Sequence, residues 1–228
     1  MSPLMYALIP TLCVVIGAIL AISFIPGKRA ISAFQHLAAG VVFAAAAGEI
    51  LPEISAHHNV IPILIGGALG ILVTYLIKCL DIYYPGPSSF ILSIAIDLLI
   101  DGVVIGVGFV AGASQGYLLT FALSMEVLFL GLALTSSLST HMSSLGIVLL
   151  SVALGVLLPI GATIGNFIGG APQGVIVAVY TFSLIALLYL VTEELLVEAH
   201  ELYDTPEITA LFFIGFLGVV LVEHIAKN

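Results

Sequence analysis

Long apolar runs alternate with short polar or Gly/Pro-rich breaks along the whole chain. About 20 apolar residues are what a helix needs to cross the hydrocarbon core of a bilayer. Eight runs reach this length, and they cover about residues 4–25, 31–54, 60–80, 88–111, 117–137, 145–168, 174–200 and 207–226. Because the breaks are short, each helix must run antiparallel to the next. The pattern predicts an all-α membrane protein, with eight transmembrane helices in a single domain over residues 1–228.

The composition agrees with this prediction and narrows the range of partners. Hydrophobic residues make up 61% of the chain and charged residues only 7%, so we expect a multi-pass protein of a cell membrane. Only four Lys and Arg are present, and no nucleic acid partner is therefore expected. The first residues, MSPLMYALIP, lack a basic segment, which favours a retained first span over a cleaved signal.

The few positive charges predict an orientation. Lys28 and Arg29 lie between the first two spans, and Lys78 lies at the end of the third, so all three belong to one face. Lys227 belongs to the other face. Basic residues accumulate on the cytoplasmic side of membrane proteins. The first face is thus expected in the cytoplasm, and both termini of an eight-span chain are then extracytoplasmic.

Glycine and proline indicate how the spans pack and where they bend. Small residues are dense in the segments GGALG, GVVIGVG and GATIGNFIGG, and they allow membrane helices to approach closely. Pro52 and Pro159 are expected to bend the second and sixth spans.

Two aspartates lie in the middle of the fourth run, SSFILSIAIDLLIDGVVIGVGF. Asp97 and Asp101 are four residues apart, which places both on one helix face, one turn apart. A carboxylate at the centre of a membrane helix costs at least about 2.5 kcal/mol. Two of them repel each other unless a proton or a cation lies between them. The default interpretation of such a pair is a cation site.

Glu126 lies about halfway along the fifth run, which follows the fourth after the break GASQG. All three acids are therefore expected at similar depth. Neither run contains Lys or Arg, so the acids cannot form an ion-pair network with buried basic residues. The alternative is that each acid is protonated, or hydrogen-bonded to Ser93, Ser124 or a backbone carbonyl.

Two further clusters of acid and imidazole groups lie near span ends. The segment GEILPEISAHH closes the second span and TEELLVEAHE closes the seventh. Such groups are suitable ligands for divalent ions. Candidate contacts for a metal entering or leaving the membrane are Glu49, Glu53, Glu193, Glu194, Glu198 and His200.

The alternative for these clusters is simple solvation at a span end. Solvation is the favoured interpretation for His57, His58, His200 and Glu201, and His200 is kept as a candidate contact nonetheless. The other histidines near span ends, His36, His141 and His224, are expected at the membrane interface.

Four segments carry motifs that occur together in one family of membrane proteins. AAGVVFAAAAGEILPE is similar to a second span that ends in L-P-E, and DLLIDGVVIGVGF to a fourth span with H-N-x-x-[DE]-G and a small-residue run. EVLFLGLAL is similar to a fifth span with H-x-x-P-E-G-L-A, and LYLVTEELLVEAHE to a seventh span in which two acids precede L-x-P-E-A-H. With these motifs in order across eight spans, the chain resembles the ZIP (Zrt-, Irt-like) family of divalent metal transporters.

The resemblance implies one central metal site. Carried over by position, the fourth-span His becomes Asp97, the acid before Gly stays as Asp101, and the fifth-span His becomes Glu126. Family members can hold a second, neighbouring metal. The residues that match its remaining ligands here are all apolar: Leu98, Val127, Leu130 and Leu158. We therefore expect a single all-oxygen site without a binuclear centre.

The function expected from the resemblance is transport of a divalent metal ion, Zn, Cd, Mn or Fe, into the cytoplasm. The ion is the substrate, and neither a cofactor nor enzymatic activity is expected. The implied partners are the metal ion, the lipid bilayer and, as an option, a second copy of the chain in a homodimer. In the family, spans one, four, five and six are thought to move as a unit. The first and last three spans of such folds can form an inverted repeat, although no clear repeat is visible in this sequence.

Two other classes of function stay open. A non-transporting relative that binds metal as a sensor or scaffold is compatible with the missing second-site ligands. An intramembrane hydrolase that activates water with paired acids is less favoured, because no partner His or nucleophile stands beside Asp97 or Asp101.

Overall fold

The computed structural model describes residues 3–23, 27–84, 86–202 and 205–227, and these residues form helices and no strand. Eight of the helices are long and apolar enough to cross a membrane. They are α1 Pro3–Ser23, α2 Lys28–Ser55, α3 Val60–Leu80, α4 Pro87–Ala111, α5 Ala113–Leu138, α6 Ser144–Ile168, α7 Gln173–Glu201 and α8 Pro206–Ile225. The prediction of an all-α membrane protein with eight spanning helices is confirmed.

The outer surface of the helices is apolar. Ile61 and Leu64 on α3 and Phe213 on α8 are each 64% exposed, although all three are large hydrophobic side chains. A soluble protein rarely exposes a continuous apolar surface. The exposed faces are therefore those of a multi-pass membrane protein whose solvent is lipid.

The helices pack as two groups of four. The largest interfaces in the first group are α1 with α5 and α4 with α6. Those in the second group are α2 with α8, α2 with α7 and α3 with α7. We call α1, α4, α5 and α6 the first bundle, and α2, α3, α7 and α8 the second bundle.

The packing pattern contains an internal symmetry. Suppose that α1, α2 and α3 exchange places with α6, α7 and α8, respectively, and that α4 exchanges with α5. The interface of α1 with α5 then becomes that of α6 with α4, and the interface of α2 with α8 becomes that of α7 with α3. The exchanged helices run in opposite directions, because successive spans alternate. This relation between the first and last three spans is an inverted arrangement.

Glycine permits the closest helix approaches. A Cβ on Gly102 of α4 would lie 2.2 Å from the Leu158 carbonyl oxygen, and one on Gly161 of α6 would lie 2.3 Å from the Leu99 carbonyl oxygen. No side chain can be accommodated at these distances without moving a backbone. The small-residue segments thus act as contact surfaces between membrane helices, as the sequence predicts.

Three of the spanning helices are interrupted. In α2 a π-helical segment, Ala46–Ile50, comes just before Pro52. In α6 the helix breaks at Val156, three residues before Pro159. The predicted proline bends thus coincide with real irregularities. A second π-helical segment, Leu190–Leu195 in α7, has no proline and was not predicted. It lies in the helix that the internal symmetry pairs with α2.

Replacing Gly161 with alanine should destabilise the protein by about 1–3 kcal/mol, the usual cost of overpacking a well-packed contact. The added methyl group would force α4 and α6 apart. The measurement is the midpoint of thermal unfolding in detergent. Gly218→Ala is the matched control, since a Cβ at Gly218 has open space within 4 Å. Equal midpoints for the two variants would contradict the packing described here.

Candidate metal centre

The three predicted acids converge between two adjacent helices of the first bundle. Asp97 and Asp101 project from α4 and Glu126 from α5, and one ligand oxygen from each lies within 4.8 Å of the other two. Asp101 and Glu126 are each 1% exposed, and Asp97 is half-buried. Among the described residues, this is the one group of three or more His, Cys, Asp or Glu side chains arranged to hold a metal ion.

Most of the buried oxygens of this cluster make no well-formed hydrogen bond. Asp101 and Glu126 lie close enough to interact directly. Even so, Asp97 Oδ2, Asp101 Oδ2 and both Glu126 carboxyl oxygens are buried without a well-formed hydrogen bond. The Ser124 hydroxyl, one of the partners considered from the sequence, instead donates to the Thr120 carbonyl oxygen at 2.6 Å. A buried polar atom without a partner is costly, and a bound cation would satisfy several of these oxygens at once.

A cavity of about 260 Å³ connects the cluster with one end of the protein. Its wall includes Asp97 at the cluster and Lys78 and Glu193 near the opening. We call this end of the protein, where α2 begins and α3 ends, the basic end, because it also carries Lys28 and Arg29.

The protein is tightly packed on the opposite side of the cluster. Val104, Ile105 and Val107, which follow Asp101 on α4, are at most 1% exposed. The Tyr180 hydroxyl of α7 donates to the Val107 carbonyl oxygen at 3.2 Å, which joins the two bundles at this level. The cluster is thus approached from the basic end and closed toward the other.

Three of the candidate metal contacts on α7, Glu193, Glu194 and Glu198, line the cavity. Glu194 borders both the large cavity and a smaller pocket beside Glu126, and its charge acts on Asp101 and Glu126. Glu193 pairs with Lys78 at 3.4 Å, with both side chains nearly half exposed, and such pairs contribute at most about 1 kcal/mol. Glu198 also borders the cavity.

His200 is exposed and its ring contacts the ring of His36, with centroids 4.9 Å apart. Its Nδ1 bonds to the Leu196 carbonyl oxygen. His200 is therefore not brought to the carboxylate cluster, and a role in metal contact stays a prediction.

The acids on α2 lie apart from the cluster. Glu49 is 4% exposed and belongs to the π-helical segment, while Glu53 is half-buried in the following turn. The electrostatic influence of Glu53 extends to Tyr180. Glu49 is much more enclosed than a solvated span end, and contact of either acid with a metal stays a prediction.

Two buried polar residues of α2 were missed or misjudged from the sequence. His36 was expected at the membrane interface, which is wrong: its side chain is fully buried, with Nδ1 bonded to the Ser32 carbonyl oxygen at 2.9 Å. Gln35 is 2% exposed and was not singled out. Both lie two turns inside α2, where α7 covers that helix. Only the presence of two polar residues inside an apolar run could have pointed to them.

The residues that match the family's second-metal ligands are packed as core or cavity wall. Leu98, Val127 and Leu158 are completely buried. Leu130, one turn after Glu126, borders both the large cavity and the smaller pocket.

No protein-family model matches the chain, and no curated protein matches it in sequence. The resemblance to the ZIP family therefore depends on the four sequence motifs.

Replacing Leu130 with glutamate should add a ligand beside the cluster, because this side chain faces both the large cavity and the pocket that Glu126 borders. The variant should bind one more Cd²⁺ per chain than the wild type after equilibrium dialysis, counted by elemental analysis. Leu130→Gln, which has the same shape without the charge, is the control and should leave the count unchanged. An unchanged count for Leu130→Glu would show that this position cannot support a second metal.

Proposed function

We propose that this protein is a divalent metal cation transporter of ZIP-like architecture, with Asp97, Asp101 and Glu126 as its single midplane site. The observation that carries the proposal is the convergence of three acids inside a membrane protein, with four of their buried oxygens unpartnered. A transporter must hold a cation where lipid surrounds the protein, and intramembrane acids commonly mark ion pathways.

The ligand chemistry defines the class of substrate. Three carboxylates provide hard oxygen donors, which suit Mn²⁺, Mg²⁺ and Ca²⁺ and tolerate Fe²⁺, Zn²⁺ and Cd²⁺. A divalent charge compensates most of the negative charge of the cluster. A monovalent ion would leave two charges uncompensated in a medium of low dielectric constant, which is unfavourable.

The division into two bundles supports a moving site. All three ligands belong to the first bundle, whereas the acids of both π-helical segments belong to the second. Movement of the first bundle past the second would carry the cluster from the basic end toward the opposite face. The internal symmetry supports such alternating access, which commonly involves one repeat or bundle moving against another.

The direction of transport follows from the proposed orientation. If the basic end lies in the cytoplasm, as the distribution of Lys and Arg predicts, the described cavity opens inward and both termini are extracytoplasmic. A cytoplasm-negative membrane potential then favours inward movement by about 2.3 kcal/mol per charge for each 100 mV.

The second candidate is a metal-binding sensor or scaffold that does not transport. It is favoured by the apolar packing of Leu98, Val127 and Leu158, which replaces the ligands of a second metal. Tight cation binding by purified protein without any flux into proteoliposomes would select this alternative.

Proteoliposomes containing the wild-type protein should take up Cd²⁺ or Mn²⁺, and Asp101→Asn should abolish the uptake. This substitution removes charge from the middle of the only proposed midplane site while preserving side-chain size. Glu207→Gln, which removes an exposed carboxylate at the start of α8, should transport like the wild type. Equal uptake by Asp101→Asn and the wild type would contradict the assignment of the site.

Cation binding should weaken as pH is lowered from about 8 to about 5, because carboxyl ligands must be deprotonated to bind a metal and binding therefore releases protons. The measurement is the dissociation constant of Mn²⁺ for the purified protein at each pH. An affinity that stays constant over this range would mean that the bound ion does not displace protons from the carboxyl groups.

A further inference from the structure

We propose that Tyr180 and Ser183 of α7 form a gate on the side of the cluster that faces away from the basic end. In this structure Tyr180 keeps the gate closed through its hydrogen bond to α4, and Ser183 lines the passage once that bond breaks. The inference rests on the proposed function, because a transporter must open this side of the cluster. It assigns roles in transport to two residues that are not among the candidate metal contacts.

The hydrogen bond joins the two bundles at a place where they must move relative to each other. The Tyr180 hydroxyl donates to the Val107 carbonyl oxygen at 3.2 Å, and both residues are at most 5% exposed. Tyr180 belongs to the second bundle and Val107 to the first. Movement of the first bundle past the second therefore breaks this bond. Removing the hydroxyl should shift the population of molecules toward the state that is open on this side.

Ser183 lies between this hydrogen bond and the carboxylate cluster. The chain of α7 runs toward the basic end, because Glu193, later in the helix, borders the cavity there. Ser183 follows Tyr180 by three residues, which is about 4.5 Å along the axis and on the same helix face. On α4, Val107 follows Asp101 by six residues, or about 9 Å. In depth, Ser183 is thus about halfway between the hydrogen bond and Asp101.

The hydroxyl of Ser183 is unsatisfied in the closed structure. The residue is 1% exposed, and its Oγ is buried without a hydrogen-bond partner. The buried hydroxyls of Thr120 and Thr181 instead donate to the carbonyl oxygens four residues earlier in their own helices. An unsatisfied buried hydroxyl is unfavourable. In an open passage the same hydroxyl can donate to and accept from the waters around a passing ion.

Cysteine accessibility in the purified full-length protein in detergent tests the gate. With Cys13 and Cys79 replaced by alanine, Ser183→Cys reports on the passage through its rate of reaction with a charged methanethiosulfonate reagent. Adding Tyr180→Phe should raise this rate about two- to tenfold, the range that the loss of one hydrogen bond supports. Tyr83→Phe, which removes an exposed hydroxyl near the end of α3, is the matched control and should leave the rate unchanged.

A second reporter separates opening of the gate from general loosening of the protein. Ala133 borders the cavity that opens at the basic end. In the same background, Ala133→Cys should react no faster when Tyr180→Phe is added, because this side is already open. An unchanged rate at Ser183→Cys, or a similar increase at both reporters, would overturn the gate.

Ser183→Ala is a test that needs no change at Tyr180. It should raise the midpoint of thermal unfolding, because it removes an unsatisfied buried hydroxyl. It should also slow Mn²⁺ uptake into proteoliposomes at least twofold, while the dissociation constant of Mn²⁺ stays the same. Ser137→Ala, at an exposed position of α5, is the matched control and should raise the midpoint less and transport like the wild type.

A lowered midpoint for Ser183→Ala, or uptake equal to that of the wild type, would overturn the role of Ser183. Failure of the proposed function gives a different result. The wild type would then show no uptake, although Tyr180→Phe still raised the reaction rate at Ser183→Cys alone.

Discussion

The structure depends on one electrostatic constraint: three carboxyl groups lie at the middle of a membrane protein without buried basic residues beside them on α4 or α5. Full ionisation of all three would be strongly unfavourable in a low dielectric. A proton or a cation must therefore accompany the cluster. The cavity that adjoins the cluster gives a cation or a proton access to these acids.

The packing of the helices places the three acids in one of two groups of helices. Close approaches at glycines such as Gly102 and Gly161 hold α4 against α6, so α4, which carries two of the three acids, and α6 pack as one unit. The second bundle contributes the acids at the cavity wall, and its helices α2 and α7 contain the two π-helical segments. Such segments occur frequently at functional sites. Here they lie at the symmetry-related positions where the acids of the second bundle are found.

Much of the fold could be predicted from the sequence, because a membrane limits the choices. Apolar run length gives the number of spans, and the central positions of Asp97, Asp101 and Glu126 predict that they meet at one depth. The burial of His36 and Gln35 could not be predicted, since it depends on which helices cover α2. The π-helical segment of α7 has no proline to mark it. The arrangement of the two bundles determines the end toward which the cavity opens. The hydrophobic pattern of any one helix does not encode it.

The most direct test of the account is anomalous X-ray diffraction from crystals soaked in Cd²⁺ at neutral pH. The account predicts one strong peak at the midplane, within about 2.0–2.6 Å of oxygens from Asp97, Asp101 and Glu126. Absence of density among the three central carboxylates would contradict the account. So would two midplane peaks about 4 Å apart, the spacing of a two-metal site.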